Sequence, residues 1–223
     1  HAMTSPQRKC DLVMKGGITS GVVYPMAVVE LAKKYRFENI GGTSAGAIAA
    51  VVTAAAEYGR DKGGFRKIGE LPEELSADLI GKFQPAPELR PLFGFMLAAM
   101  SKSMSKIVAA LLGNYRRKAL IWALPGMVIA IALGIVPHSL GFTLLGLLLA
   151  VLGAFAGAGA ALLRQVTVTL PEHDYGICPG LTQANSKGAA LTDWLSQTID
   201  AVAGLDDSEG PLTIAHLKQK GIN

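Results

Sequence analysis

Apolar residues along this chain fall either in continuous runs or at helical spacing, and each pattern predicts its own kind of element. Cys10-Asp11-Leu12-Val13-Met14 is a short, nearly continuous apolar run that reads as a buried strand. Lys15-Gly16-Gly17-Ile18-Thr19-Ser20-Gly21 follows as a glycine-rich loop. From Val22 to Lys34, apolar Val23, Met26, Ala27 and Leu31 recur at helical spacing, with Pro25 in the first turn and Lys33-Lys34 in the last. A second strand is expected over Arg36–Ile40. A small-residue helix should then run from Ala45 to Tyr58. Strand, loop, helix, strand and helix make a βαβα unit, which implies a parallel sheet with covering helices.

The pattern changes after Gly59. Charged residues become frequent to about Gly64, and Leu71–Leu79 reads as a helix with Pro72 at its start. Pro85, Pro87 and Pro91 mark a loop. Leu92–Leu112 is strongly apolar, with Lys102 and Lys106 on another face. It is expected either to lie in a lipid headgroup region or to pack on a core as a lid. From Ala119 to Leu163 the only ionisable side chain is that of His138. A bilayer core takes about 20 apolar residues per helix. Two such helices fit, Ala119–Val136 and Leu140–Leu163, separated by Pro137-His138-Ser139. Trp122 sits near the start of the first, and Gly153 and Gly157 give the second a small-residue packing stripe. Arg116-Arg117-Lys118 and Arg164 flank the pair, so both ends are expected on the cytoplasmic side. The competing expectations are a buried core pair and a soluble helical cap over a lipid pocket. Beyond Arg164, Val166–Leu170 reads as a strand, and Ala189–Ala203 as an amphipathic helix with Leu191, Trp194, Leu195 and Ile199 on one face.

Composition supports the membrane expectation: 17% of the residues are charged, against about 25% in an ordinary soluble domain. The formal charge is +4. Cys10 and Cys178 lack any metal-ligand or disulfide-framework spacing, so two reduced thiols, no metal and no cofactor are expected. No nucleic-acid partner is expected. His1-Ala2-Met3 reads as a tag remnant, and no cleavable signal is visible. The expected organisation is a tail at 1–9, an α/β core at 10–91, an amphipathic basic segment at 92–118, an apolar hairpin at 119–163, and a truncated return to the α/β domain at 164–223.

The chemistry concentrates at Gly42-Thr43-Ser44-Ala45-Gly46. A G-x-S-x-G between a strand and a helix is the context of a nucleophile elbow, with the serine pushed out above the sheet. The helix that follows aims its first N–H groups at the same spot. The Gly16-Gly17 loop ends the first strand and should meet the elbow at the C-terminal edge of a parallel sheet. A dinucleotide cradle does not fit, because Gly17-Ile18-Thr19-Ser20-Gly21 is not G-x-G-x-x-G.

These segments together resemble the patatin-like phospholipases, whose first motif is G-G-G-x-[K/R]-G and whose second is G-x-S-x-G. The second matches at Gly42–Gly46. The first is approached by Lys15–Gly21, with Lys15 for the first glycine, Thr19/Ser20 for the basic residue, and one extra residue. The resemblance covers about residues 10–60. It implies a three-layer α/β/α fold with a mainly parallel sheet, with the apolar hairpin as an insertion. It also implies Ser44 as nucleophile, Gly16 and Gly17 N–H groups as the oxyanion hole, and a membrane lipid ester as substrate. A Ser–Asp dyad is further implied, its Asp lying in D-G-[G/A]. No Asp here precedes Gly. Asp174-Tyr175-Gly176 is the nearest imitation; the expectation is that the aspartate lies beyond Asn223. Asp193, Asp200, Asp206 and Asp207 read as surface carboxylates, and His138, His173 and His216 as unsupported alternative bases. The alternative function is a catalytically silent membrane scaffold.

Overall fold

The computed structural model describes residues 8–135, 140–184, 186–206 and 208–223. Along the chain run β1 (Arg8–Met14), α1 (Ile18–Ala32), β2 (Tyr35–Gly42), α2 (Ala45–Tyr58), α3 (Gly64–Asp78), α4 (Arg90–Met100), α5 (Met104–Asn114), α6 (Arg116–Ile135), α7 (Leu140–Arg164), α8 (Leu170–Glu172), α9 (Leu191–Ala203) and α10 (Ile214–Gln219). They fall into two compact units, one of residues 1–84 and 180–223, the other of residues 85–179.

The first unit carries the expected βαβα order. β1 and β2 pair in parallel from Arg8↔Tyr35 to Met14↔Gly42, with an irregularity between Cys10 and Leu12. It is an α/β arrangement, built among the described residues on two strands. The far edge of β2 is met by Asn223: Asn223 N–H donates to Glu38 O at 2.7 Å, and Ile40 N–H donates to Asn223 O at 2.8 Å. One sheet face packs on helices through Met14 and Phe37, while Val13 on the other face is 90% exposed.

The alanine content of α2 follows from its position. Ala50 and Val52 to Glu57 are all buried, because β1, β2, α1, α3 and α9 pack around it. Small side chains let these neighbours approach, and Gly59 and Gly64 extend the effect: a Cβ on Gly59 would stand 2.5 Å from Ala203 O. The α2 end is fixed by a buried ion pair. Arg60 Nε and Nη2 donate to Glu57 Oε1 and Oε2 at 2.9 and 2.6 Å. The same guanidinium donates to Ala32 O and Tyr35 O and lies over the Phe65 ring at 4.6 Å. All its charge is thereby satisfied where α1, β2 and α2 meet.

In the second unit, α6 and α7 form an antiparallel hairpin. Its backbones touch through small residues: a Cβ on Gly157 would come within 2.7 Å of Lys118 O, and Gly126 and Gly146 lie against Ala150 and Ala130. The outer faces are apolar and exposed, with Leu120, Leu124, Val128, Leu144, Leu148 and Leu152 all more than half exposed. The helical stretch Leu140–Glu172 is long and apolar enough to cross a membrane, with mean hydropathy 2.2 and 17% of its most apolar window buried.

Several expectations need correction here. Val166–Leu170 is not a strand: α7 runs on through a π-helical turn, Gln165–Thr169, into α8. Thr167 Oγ1 donates to Leu163 O, so the β-branched run is satisfied in helical geometry. The apolar run at 92–112 is two helices, α4 and α5, turning at Lys102 with φ 54°. Pro72 lies inside α3 rather than at its start, and Pro25 lies inside α1, which begins at Ile18 and so takes Ile18–Gly21 out of the expected glycine loop. The expected hairpin tip at Pro137-His138-Ser139 lies outside the described residues, as does His1-Ala2-Met3.

Candidate active site

The elbow is built where β2 stops. β2 ends at Gly42 and α2 begins at Ala45, leaving Thr43 and Ser44 to make the turn. Ser44 takes φ 54° and ψ −128°. A non-glycine residue held there stores about 1–3 kcal/mol, and such strain persists only where the surroundings over-determine it. The surroundings do so. Thr43 N–H donates to Met14 O at 3.1 Å, Gly46 N–H to Thr43 O at 2.9 Å, and Ala47 N–H to Ser44 O at 2.9 Å. The two motif glycines leave no room for a side chain: a Cβ on Gly46 would lie 2.8 Å from Met14 C, and one on Gly42 2.9 Å from Ala47 N. Ser44 is exposed, and its hydroxyl does not cap α2. Oγ is therefore free, and of the first three N–H groups of α2 that of Ala45 has no acceptor among the described residues.

The glycine loop reaches the elbow as the parallel register requires. A Cβ on Gly16 would stand 2.7 Å from Ser44 Cβ and 3.5 Å from Ser44 Oγ. Gly16 N–H donates to Thr43 Oγ1 at 3.2 Å. Gly17 adopts φ 152° and ψ 140° at the head of α1, a region essentially reserved for glycine. Its N–H has no acceptor among the described residues. Tyr24 from α1 donates to Lys15 O at 2.6 Å and ties the loop to the helix. Thr43 as the partner of Gly16 was invisible in the sequence, since its role depends on strand register alone.

A cavity of about 750 Å³ opens beside the elbow, its wall starting at Ala45, the residue after Ser44. Ile48 and Val52 of α2, Leu71 and Leu75 of α3, and Leu195 of α9 continue an almost wholly apolar lining. Ile80 and Phe83, from the turn after α3, also line it and are 65% and 42% exposed. The sequence signals for it are scattered over four helices and give no motif.

Most of the remaining described ionisable candidates have other partners. Asp193 accepts from Thr182 N–H and Oγ1–H, which hold its carboxyl below the usual range. Asp200 accepts from Leu212 N–H, and Asp206 from Ser208. His216 Nδ1 accepts from Thr213 N–H in a capping box on α10. Asp174 is exposed in a left-handed turn of the second unit, φ 51°, and His173 Nε2 lies 3.9 Å from Glu88. His138 and Asp207 lie outside the described residues. Among the described residues, no carboxylate or imidazole hydrogen-bonds Ser44 Oγ.

A strained serine after β2, glycines that admit no Cβ around it, and a glycine loop against it invite comparison with known families. The family model for patatin-like phospholipases matches residues 12–201. This chain belongs to the patatin-like phospholipase family. A curated relative, the RpoH suppressor of Rhizobium meliloti strain 1021, is 36% identical over 238 aligned positions. The alignment covers 96% of this chain and 36% of that protein, so the chain spans about a third of the relative's length. No solved structure matches. The patatin-like match extends well past the two motifs that carried the resemblance, taking in the apolar hairpin and reaching α9.

Proposed function

We propose that this patatin-like protein is a serine-dependent lipid acyl hydrolase held at a membrane by its apolar hairpin. The observation that carries the reading is the Ser44 backbone at φ 54°, with a hydroxyl left uncapped at the head of α2. In this reading Ser44 Oγ attacks the ester carbonyl of a lipid while a carboxylate takes its proton. The oxyanion is stabilised by Gly17 N–H, by Gly16 N–H once released from Thr43, and by Ala45 N–H at the head of α2. The alcohol leaves with the returned proton, and water then attacks the acyl-serine and frees the fatty acid. The apolar cavity beginning at Ala45 suits the acyl chain, since ligand pockets of this class measure about 300–1,000 Å³ and are mainly apolar. The uniformly apolar exterior of α6 and α7 supports anchoring, with the flanking cations on the cytoplasmic side. A covered third layer of the sheet belongs to the same proposal.

A specific observation favours a second reading: no described carboxylate or imidazole is bonded to Ser44. A silent patatin-like scaffold would keep the elbow and bind lipid without cleaving it. Release of fatty acid from phospholipid vesicles separates the two. Hydrolysis that disappears in Ser44→Ala supports the enzyme; lipid binding with no hydrolysis in either form supports the scaffold.

A further inference from the structure

The second unit has a one-sided charge. Between positions 89 and 171 stand Arg90, Lys102, Lys106, Arg116, Arg117, Lys118 and Arg164, and no Asp or Glu. All seven are exposed, and none takes part in an ion pair among the described residues. In the first unit half of the fourteen cations, Lys9, Lys33, Arg36, Arg60, Lys62, Arg66 and Lys82, face carboxylates.

Five of the seven meet at one end of the hairpin. The Gln165 side chain accepts from Tyr115 Oη and donates to Glu88 O, each at 2.5 Å. Asn114 Nδ2 donates to Pro91 O at 3.2 Å. These bonds draw together the start of α4, the start of α6 and the end of α7, which carry Arg90, Arg116 to Lys118, and Arg164. The acids at the margin are Glu88, 3.9 Å from His173, Glu172 and Asp174. Immediately inward of the cations, both helices are free of charged residues.

We propose that this ring of unpaired cations is a binding surface for anionic phospholipid headgroups, so that the hairpin recruits acidic lipid around itself in a bilayer. The inference rests on the membrane reading above and adds a lipid class to it. Five cations at headgroup depth without carboxylate partners lose their water to something; phosphate oxygens match arginine in geometry and charge. The field of an anionic leaflet attracts such basic segments by an amount that corresponds to about a fivefold preference per residue near the surface.

The test reconstitutes the full chain into phosphatidylcholine vesicles carrying trace spin-labelled phosphatidylglycerol or spin-labelled phosphatidylcholine. The motionally restricted fraction of each is measured. Expected is a several-fold excess of restricted phosphatidylglycerol, which falls towards parity in about 0.5 M salt and in R116Q/R117Q/K118Q. These exposed substitutions should leave the circular dichroism unchanged, and the salt titration of the unmodified protein needs no variant. Equal restriction of both probes overturns the lipid preference and leaves the anchor standing. No restricted fraction with either probe removes the anchor itself, and the preference with it.

Discussion

Gly16 gives the most exacting check on how the loop and the elbow fit. Its backbone φ lies outside the left-handed region, so an alanine there meets no conformational penalty of its own. The cost of Gly16→Ala is purely steric. The new Cβ would stand 2.7 Å from Ser44 Cβ and 2.8 Å from Thr43 O, while ordinary contact begins at 3.4 Å. Neither neighbour is the far end of a flexible chain, so loop and elbow must part by about 0.7 Å to bring 2.7 Å up to 3.4 Å. Overpacking of this kind costs about 1–3 kcal/mol. For a unit of this size it should lower Tm by roughly 5–10 °C. A displacement approaching 1 Å at a reacting group can cost about 100-fold in rate, so fluorophosphonate labelling of Ser44 should slow by about 10- to 100-fold. Gly41→Ala is the control, because a Cβ at Gly41 meets nothing within 4 Å. Differential scanning fluorimetry and the labelling rate are read on both. Gly16→Ala matching Gly41→Ala in both would refute the packing of the loop against the serine.

Further outcomes follow from other parts of the molecule. Arg60→Ala leaves Glu57, which is 5% exposed, with only Arg36 Nε at 3.5 Å and the Phe37 N–H, and should cost about 1.5–3 kcal/mol in urea denaturation. Arg66→Ala removes an exposed pair with Glu70 and should cost less than about 1 kcal/mol. Burial pushes the Tyr115 hydroxyl from 10.0 up to about 12. The unfolded chain therefore ionises it first, and its contribution to stability, full below pH 10.0, is lost as pH rises towards 12. Absorbance at the phenolate band should show one late-titrating tyrosine that disappears in Tyr115→Phe. Burial also raises both thiols, at Cys10 with help from the Asp11 and Glu57 charges. Alkylation of either should be slow at neutral pH and accelerate with pH, as mass spectrometry of the modified peptides would show.

The βαβα part of the fold was legible because local signals agreed with each other there. Gly42 and Gly46 bracket the end of β2 and the start of α2, and the alanine run marks a helix buried on nearly every side. The expected helix Ala45–Tyr58 is the one observed. Val166-Thr167-Val168-Thr169 misled, since β-branched residues suggest a strand, yet nothing after Arg164 stops α7. The break at Lys102 was hidden for the opposite reason: Ser101-Lys102-Ser103 turns the chain without glycine or proline. The cavity and the Gly16–Thr43 bond depend on which helices and strands become neighbours, and no run of adjacent residues records that.

The central claim is that Ser44 is an activated nucleophile. A fluorescent fluorophosphonate incubated with the full chain in lipid vesicles reads this directly, with peptide mapping of the adduct. The account predicts a single covalent adduct on Ser44, absent from Ser44→Ala and slowed in Gly16→Ala. A folded, vesicle-bound protein that acquires no adduct at Ser44 would contradict it.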